Sequence, residues 1–428
     1  MEQLAFYGLY GTAVVAFVAY FAKAGGYMQV PTLVAAVYLG WVLPQLSILR
    51  QAYSYYPLEM TELHLMALVC LGAVLLGWSR GIGTTAPSLQ PVAGIAMPGR
   101  EERAVELTAL AMTGIAVAMT LALSFVSAEE RNATQASGIV TIIKFFSNVK
   151  VVSLFLSMTL LLRRGTTLRW ALLLANLAIY APLIVIYFRR QQTLECALAL
   201  AMAFWFARGT LIPRLAVIAA MGLGGVLANV VGQLRQLGRG ARDEEWSLLT
   251  LDEIMTIDFS HRAQDGLPQA VEMSNALHLI LLSHLEGLHT YGTEAWNRFV
   301  FQYVPAQFVG GDVKQALMID HAFVDQLQYL TNHTVRNGST LTGIGTAYVE
   351  FWFFGGLLFL IPAYLMGRLW RRAVQGDMWA QAYIVAGTTP MVLMVTHQSF
   401  IFYTSMLLFL VMLTGARAVF GGNRVALV

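Results

Sequence analysis

The sequence predicts an all-α polytopic membrane protein, and three observations lead to this fold class. First, 57% of the 428 residues are hydrophobic and only 12% are charged, whereas a soluble protein carries about 25% charged residues. Second, the apolar residues fall in runs close to the roughly 20 residues that a helix needs to cross a bilayer. Third, one polar segment, 235–345, separates the last three runs from the others. This composition excludes a soluble enzyme, a disordered chain and a coiled coil.

Eleven apolar runs predict about 11 transmembrane helices, which satisfy the backbone polar groups inside the lipid without any sheet. The predicted spans are 4–22, 28–49, 58–78, 104–127, 138–162, 168–188, 191–207, 214–234, 346–367, 379–397 and 399–416. The first run has neither the basic segment nor the cleavage site of a signal peptide, so we expect it to be retained. The run 191–207 is the shortest of the set.

The predicted spans divide the chain into three regions. Residues 1–234 hold transmembrane helices 1–8, residues 235–345 form a large insert, and residues 346–428 hold helices 9–11 and a short tail. The insert contains 13 of the 24 acidic residues and six of the eight histidines. We therefore interpret the insert as a folded part of the protein and not as a linker.

Two stretches of the insert have helical periodicity. Apolar residues recur at helical spacing over 270–287 and 314–330, which predicts a helix in each stretch. Aromatic residues cluster around Pro305 between them. Since aromatic side chains collect at membrane interfaces, this segment predicts a loop at the lipid surface.

The distribution of Arg and Lys predicts the orientation of the chain. Fourteen basic residues fall on one side of the predicted membrane plan and four in the short turns on the other. Because basic residues favour the cytoplasmic side, we expect the N-terminus outside, the C-terminus in the cytoplasm and the insert outside.

Two lysines lie inside the predicted span 138–162. At 1.5 Å per residue, Lys144 and Lys150 are roughly 9 Å and 18 Å below its outer end. An ionisable group at the centre of a membrane helix costs about 2.5–3.5 kcal/mol or more, so it needs a compensating environment. Lys144 is shallow enough to reach the interface with its flexible side chain. Lys150 lies deeper and favours a polar cavity.

Further charged residues stand at the outer ends of predicted spans. Arg189 and Arg190 are adjacent on a short outer turn, and Arg binds phosphate groups bidentately. Anionic lipid headgroups explain the pair equally directly. Glu195 follows about one turn into the next helix, and Glu350 lies about one turn inside the helix after the insert. Simple ion pairing with an interior Lys or Arg explains Glu350 equally well.

Other chemistry has little support in the sequence. His284 and His289 are five residues apart, unlike the i, i+4 spacing of a zinc-binding helix. No phosphate-binding loop of the Walker type occurs, and the scattered basic residues do not indicate nucleic-acid binding. We therefore expect no metal and no cofactor.

Three segments resemble the Wzy-type O-antigen and oligosaccharide repeat-unit polymerases, a family related to the O-antigen ligases. The segment 337–356 (NGSTLTGIGTAYVEFWFFGG) is similar to the end of that family's long periplasmic loop and the helix that follows. The segment 292–305 (GTEAWNRFVFQYVP) resembles the stretch before its Pro-rich turn, although Ala306 stands where the family usually has Arg. Arg189 and Arg190 resemble its Ser-Arg-Gly element.

The resemblance implies a GT-C-like glycosyltransferase with a large helical periplasmic loop, in the bacterial inner membrane. It would join undecaprenyl-pyrophosphate-linked oligosaccharide repeat units on the periplasmic face, without a metal or a nucleotide sugar. Its partners would be the lipid-linked donor and acceptor, the lipid bilayer and a chain-length regulator, with no nucleic acid. The residues expected to bind the pyrophosphate are Arg189, Arg190, Lys144, Lys150 and Arg336. His333 is the first candidate for the catalytic base and Glu350 the second.

Two alternatives stay open at this point. An O-antigen ligase has the same membrane plan but transfers the glycan to the lipid A core. A lipid-linked oligosaccharide flippase belongs to a different class and should show repeated halves with charges on both sides of the membrane midplane. Here the predicted intramembrane charges lie toward the outer side, which favours the polymerase.

Overall fold

The structure is a computed structural model that describes residues 1–23, 25–83, 99–126, 139–185, 189–210, 212–219, 272–287, 289–319, 323–335 and 339–421. Every regular element within these ranges is a helix. Nine helical segments of the described chain are long and apolar enough to cross a membrane. The predicted fold class, a helical polytopic membrane protein, is confirmed at this level.

The nine segments coincide with nine of the predicted spans. They are Glu2–Phe21, Val30–Ala52, Pro57–Ile82, Gly99–Ser124, Ile142–Arg163, Thr167–Val185, Gly343–Val374, Met378–Thr396 and Ile401–Gly421. The predicted span 191–207 lies within a 19-residue helix, Arg190–Arg208. The predicted span 214–234 is helical over 214–219, and the rest of it lies outside the described residues. The total of eleven spans stays a prediction.

We number the described helices in chain order. The N-terminal membrane region contains α1 (Glu2–Phe21), α2 (Val30–Val37), α3 (Leu43–Ala52), α4 (Pro57–Ile82), α5 (Gly99–Ser124), α6 (Ile139–Ser147), α7 (Lys150–Arg163), α8 (Thr167–Val185) and α9 (Arg190–Arg208). The insert contains α10 (Met273–Glu286), α11 (Thr293–Tyr303), α12 (Ala306–Val309), α13 (Gly311–Leu317) and α14 (Phe323–Thr331). The C-terminal region contains α15 (Gly343–Phe351), α16 (Leu357–Val374), α17 (Met378–Thr396) and α18 (Ile401–Gly421).

The predicted span 138–162 is broken into α6 and α7. The N–H groups of Asn148 and Val149 donate to the carbonyls of Phe145 and Phe146, at 3.3 Å each. These are i to i−3 hydrogen bonds, which tighten the chain into a 3₁₀-type turn. Lys150 is the first residue of α7. The expectation of one continuous helix is therefore wrong here, and Lys144 and Lys150 lie on different helices.

The core of the membrane domain is built around α17. This helix contacts α2, α7, α9, α15, α16 and α18, and 89% of its apolar window is buried. Beside it, α4 and α16 approach closely at glycines. A Cβ atom on Gly77 would lie 2.3 Å from the carbonyl oxygen of Leu360, and one on Gly81 would lie 2.2 Å from that of Tyr364. Small residues allow the close helix contacts that stabilise membrane bundles.

The insert is helical where it is described. The prediction of a helix over 270–287 is confirmed by α10, whereas the single helix expected over 314–330 is instead two, α13 and α14. The loop expected around Pro305 is wrong, because 293–303 is the helix α11 and Pro305 follows its end. The rings of Trp296, Phe299 and Tyr303 follow one another along α11, with centroids 5.9 and 5.1 Å apart. Spacings of three and four residues place side chains on one face of a helix. The same aromatic residues are therefore compatible with the expected loop and with the observed helix α11.

The insert packs on one end of the membrane domain, which we call the insert side. Helix α10 contacts α3, α4 and α15. Helix α11 reaches α6, where the rings of Tyr303 and Phe145 are 5.1 Å apart. The first two turns of α4, the C-terminal part of α6 and the end of α17 are therefore neighbours of the insert.

Candidate functional site

Three of the predicted basic residues come together on the insert side. Lys144 on α6 and Lys150 on α7 both interact electrostatically with Arg189, which precedes α9. The break between α6 and α7 and the turn between α8 and α9 thus bring residues from three segments to one place. We call Lys144, Lys150 and Arg189 the cation cluster.

A buried carboxylate accompanies the cation cluster. Glu195 on α9 is 8% exposed and Lys150 is 5% exposed, and the two charges attract each other. The side-chain amide of Gln191 donates to Glu195 Oε1 at 2.9 Å. Among the described residues this site holds three cations and one carboxylate, so it stays positively charged overall.

The surroundings of Lys150 contain unused hydrogen-bonding capacity. Its Nζ is 3.5 Å from the carbonyl oxygen of Ser147, a long contact, and lies 5.9 Å from the centre of the Tyr180 ring. The hydroxyl of Tyr180 and Oε1 of Gln192 are buried and have no hydrogen-bond partner among the described residues. Since buried polar groups are almost always hydrogen-bonded, this is a polar site suited to a bound ligand or to water.

Two predicted members of the pyrophosphate site are not placed by the structure. Arg190 is the first residue of α9, but its side chain lies outside what the structure describes. Arg336 lies outside the described residues. Their roles stay predictions.

His333 is one half of a stacked histidine pair. Its ring is parallel to that of His278 on α10, with centroids 3.9 Å apart and an interplanar angle of 8°. Nε2 of His333 is 2.7 Å from Oδ1 of Asn275, whose amide donates to the carbonyl of Thr340 at 2.6 Å. Burial lowers the pKa of His278, and the hydrogen bond to the carbonyl of Ser274 partly opposes this. These contacts hold the segment that leaves the insert against α10.

Glu350 caps a helix of the insert. It is 1% exposed, and its carboxylate accepts hydrogen bonds from the backbone N–H groups of Gly292 and, at 3.2 Å, Ala295. These groups belong to the N-terminus of α11, where a negative charge is stabilised by unpaired N–H groups. The contacts favour a structural role for Glu350 over the base and over the ion pair considered from the sequence.

Sequence reasoning did not select Arg298 or His397. Arg298 lies on α11, its Nη1 is buried without a hydrogen-bond partner among the described residues, and it interacts electrostatically with Glu294 and His397. His397 follows the end of α17, and its Nδ1 is 2.8 Å from the hydroxyl of Thr396. The rule that drew attention to Lys150, an ionisable residue in an apolar run, also applies to His397 and could have found it. Arg298 required the tertiary structure.

A second cluster missed from the sequence joins α4, α10 and α15. Nε2 of His284 is 2.8 Å from Glu62, and Nδ1 is 3.4 Å from Glu59. The hydroxyl of Tyr348 donates to Glu62 at 2.5 Å. Because both ring nitrogens of His284 face carboxylates, this cluster cross-links helices and does not leave a nitrogen for proton abstraction. No group of three or more His, Cys, Asp or Glu in the described ranges is arranged to hold a metal ion.

The fold and the site define a helical multi-pass membrane protein with a folded insert and, on the insert side, a cationic site in which Lys150 is buried. Comparison with models of protein families, with curated proteins and with solved structures finds no match to this chain.

Proposed function

We propose that this protein is a membrane glycosyltransferase that polymerises oligosaccharide repeat units carried on undecaprenyl pyrophosphate. The observation that carries the proposal is the convergence on the insert side of Lys150, which is buried, Lys144, which is partly buried, and Arg189, which is exposed. Three cations that meet at the edge of a membrane domain favour an anionic ligand, and Glu195 is the carboxylate that already attracts Lys150. The resemblance to Wzy-type polymerases supplies the chemical class of that anion.

The site suits a lipid-linked diphosphate in position and in charge. It is formed by helices α6 to α9, so a polyprenyl chain can stay in the bilayer while the glycan extends toward the insert. Arg and Lys side chains bind phosphate oxygens through charge-assisted hydrogen bonds. The hydroxyl of Tyr180 offers a further donor beside Lys150.

The same cations would lower the barrier of the reaction. When the anomeric carbon–oxygen bond breaks, undecaprenyl pyrophosphate leaves with additional negative charge. Fixed cations in a buried site stabilise charge that develops in a transition state, and this is commonly the largest contribution to catalysis. The positive-inside distribution favours the periplasmic side of a bacterial inner membrane for this chemistry.

Substitution of Lys150 tests the ligand directly. Lys150→Met keeps the length of the side chain and removes its charge, and binding of undecaprenyl pyrophosphate to the purified protein in nanodiscs should weaken by roughly 10- to 100-fold, since a charged hydrogen bond contributes about 1.5–3 kcal/mol. Lys314→Met is the matched control, because Lys314 lies on α13 and donates to the carbonyl of Phe301. Equal affinity of the Lys150 variant and the control would contradict the proposed diphosphate site.

The glycans of a strain that lacks the protein separate polymerase from ligase and flippase. Loss of a polymerase leaves lipid A core capped with a single repeat unit. Loss of a ligase removes all capped core, and loss of a flippase leaves lipid-linked repeat units facing the cytoplasm. The single-repeat profile is the expected result, and either of the others would replace the proposed function.

A further inference from the structure

We infer that His397, held beside Arg298, is the group that accepts the proton of the acceptor hydroxyl, an assignment that rests on the proposed glycosyl transfer. The inference replaces neither the cation cluster nor its role. His397 takes the role of catalytic base for the acceptor, for which the sequence indicates His333 or Glu350.

The imidazole of His397 is fixed but has a nitrogen available. Its Nδ1 is 2.8 Å from the hydroxyl of Thr396, while Nε2 makes no hydrogen bond to the residues that the structure describes. The backbone around it is held at two points. The carbonyl of Thr396 accepts from the hydroxyl of Thr340 at 2.5 Å, and the N–H of Ser399 donates to the hydroxyl of Thr346 at 3.0 Å. A general base needs a ring that is held in place and a nitrogen that makes no other hydrogen bond.

Arg298 contributes to the neutral state of this imidazole. Burial and the nearby guanidinium both lower the pKa of His397, burial being the larger cause. A neutral imidazole can accept a proton, and the neighbouring cation favours the neutral form. Arg298 also interacts electrostatically with Glu294. The Nη1 group of Arg298 is buried without a partner among the described residues, so it can donate to a sugar oxygen of the acceptor.

Helix α11 connects this pair to the cation cluster. Arg298 lies in its middle, and Tyr303 at its C-terminus contacts Phe145, the residue after Lys144. The hydroxyl of Tyr303 also donates to the carbonyl of Thr404 on α18. Glu350 caps the N-terminus of the same helix. One capped helix therefore carries Arg298 and packs beside the residues proposed to hold the leaving group.

The step balances with these groups alone. The O–H bond of the acceptor breaks as its proton moves to Nε2 of His397, and the oxygen forms the new bond to the anomeric carbon. The electron pair of the old carbon–oxygen bond leaves with undecaprenyl pyrophosphate at the cation cluster. The imidazolium then returns its proton to water.

His397→Gln tests the assignment. This variant should extend lipid-linked repeat units roughly 10²- to 10⁴-fold more slowly, the usual effect of losing a general base, with nearly unchanged affinity for undecaprenyl pyrophosphate. His289→Gln is the matched control, because His289 lies on the insert side and contacts the carbonyl of Val349. The control should keep its turnover. Full activity of His397→Gln, beside a Lys150 variant that fails to bind, would overturn this assignment and leave the proposed function standing.

Arg298→Gln supplies a second test that does not depend on the folding of the His397 variant. Turnover requires neutral His397, so it should fall as the pH drops through the pKa of that residue. Removing the guanidinium raises this pKa, and the acid limb of the pH–rate profile should move to higher pH. A limb that stays in place would contradict the assignment. If the wild-type protein binds undecaprenyl pyrophosphate but extends no repeat unit, the proposed function fails and this assignment fails with it.

Discussion

At the scale of single residues, the buried charges of this protein are compensated in two ways. The carboxylate of Glu350 accepts hydrogen bonds from backbone N–H groups and so caps the N-terminus of α11. Lys150 has Glu195 as an opposite charge but only a 3.5 Å contact to a carbonyl. The first arrangement uses the hydrogen-bonding capacity of the charge within the protein. The second leaves capacity for a ligand, which is why we place substrate binding at Lys150 and not at Glu350.

Variants of Glu350 separate the capping role from catalysis. Glu350→Gln keeps one acceptor oxygen for the N-terminus of α11, whereas Glu350→Ala keeps none and should lower the free energy of unfolding by about 0.5–2 kcal/mol, the usual cost of a lost cap. Thermal unfolding of the purified variants measures this difference. A Glu350→Gln variant that is as stable as the wild-type protein but inactive in polymerisation would instead indicate that Glu350 is the catalytic base.

At the scale of helices, tertiary contacts assemble the site from segments that are distant in the chain. Gly292 and Glu350 are 58 residues apart, as are Asn275 and His333. Each of these contacts ties an end of the insert to the helix beside it. Glu350 therefore ties α11 to the C-terminal membrane region, Asn275 and His333 join two parts of the insert, and α10 is tied to the membrane domain by His284 and Glu62 of α4.

The stacked histidine pair should make this docking sensitive to pH. Burial lowers the pKa of His278 below the ordinary value of 6.5, so the unfolded state binds more protons than the folded state as the pH falls. The contribution of neutral His278 to the free energy of unfolding is fully present above about pH 6.5 and is lost progressively at lower pH. Hydrogen exchange of residues 332–335 should be faster at acid pH, and His278→Gln should reduce this pH dependence. Identical pH dependence in the variant would show that another group is responsible.

At the scale of the whole molecule, the membrane architecture follows from the apolar runs and the insert fixes which side carries the site. The turn at Gln375 joins α16 to α17 on the side opposite the insert. Basic residues of that turn, such as Arg371 and Arg372, favour the cytoplasm. The orientation of the helix bundle in the membrane therefore decides from which side a substrate reaches the cation cluster.

Cysteine labelling tests the orientation. Tyr329 on α14 is 87% exposed, and Gln375 is exposed on the opposite side. A membrane-impermeant thiol reagent should label Tyr329→Cys in intact cells and Gln375→Cys only after lysis. The native Cys70 and Cys196 are buried, so the background should be low. The reverse pattern would place the insert in the cytoplasm and remove the periplasmic reaction.

The sequence predicts the spans well because backbone polar groups in lipid leave a long apolar run little choice but a helix. It also singled out Lys144 and Lys150, since a charge inside an apolar run is costly, and Arg189, since two adjacent arginines on a short turn are suited to bind phosphate. The partners of Glu350 could not be predicted in this way, because they are ordinary backbone groups of Gly292 and Ala295. Their importance depends on packing between distant segments.

The pairing of Arg298 with His397 escaped prediction for the same reason. Arg298 occurs in a polar helix where an arginine is unremarkable by composition, and His397 ends an apolar run. Only the packing of α11 near the end of α17 brings Arg298 and His397 close enough to interact.

The break between α6 and α7 sets the angular phase of the cation cluster. On a straight helix of 3.6 residues per turn, two side chains six positions apart would point about 120° away from each other. Lys144 and Lys150 would then project from different faces of that helix. The 3₁₀-type turn at Asn148 and Val149 changes this phase, and both lysines interact electrostatically with Arg189. The relative directions of Lys144 and Lys150 thus depend on two uncharged residues, Asn148 and Val149. We expect a substitution that straightens the helix there to separate the members of the cation cluster without changing the net charge of the protein.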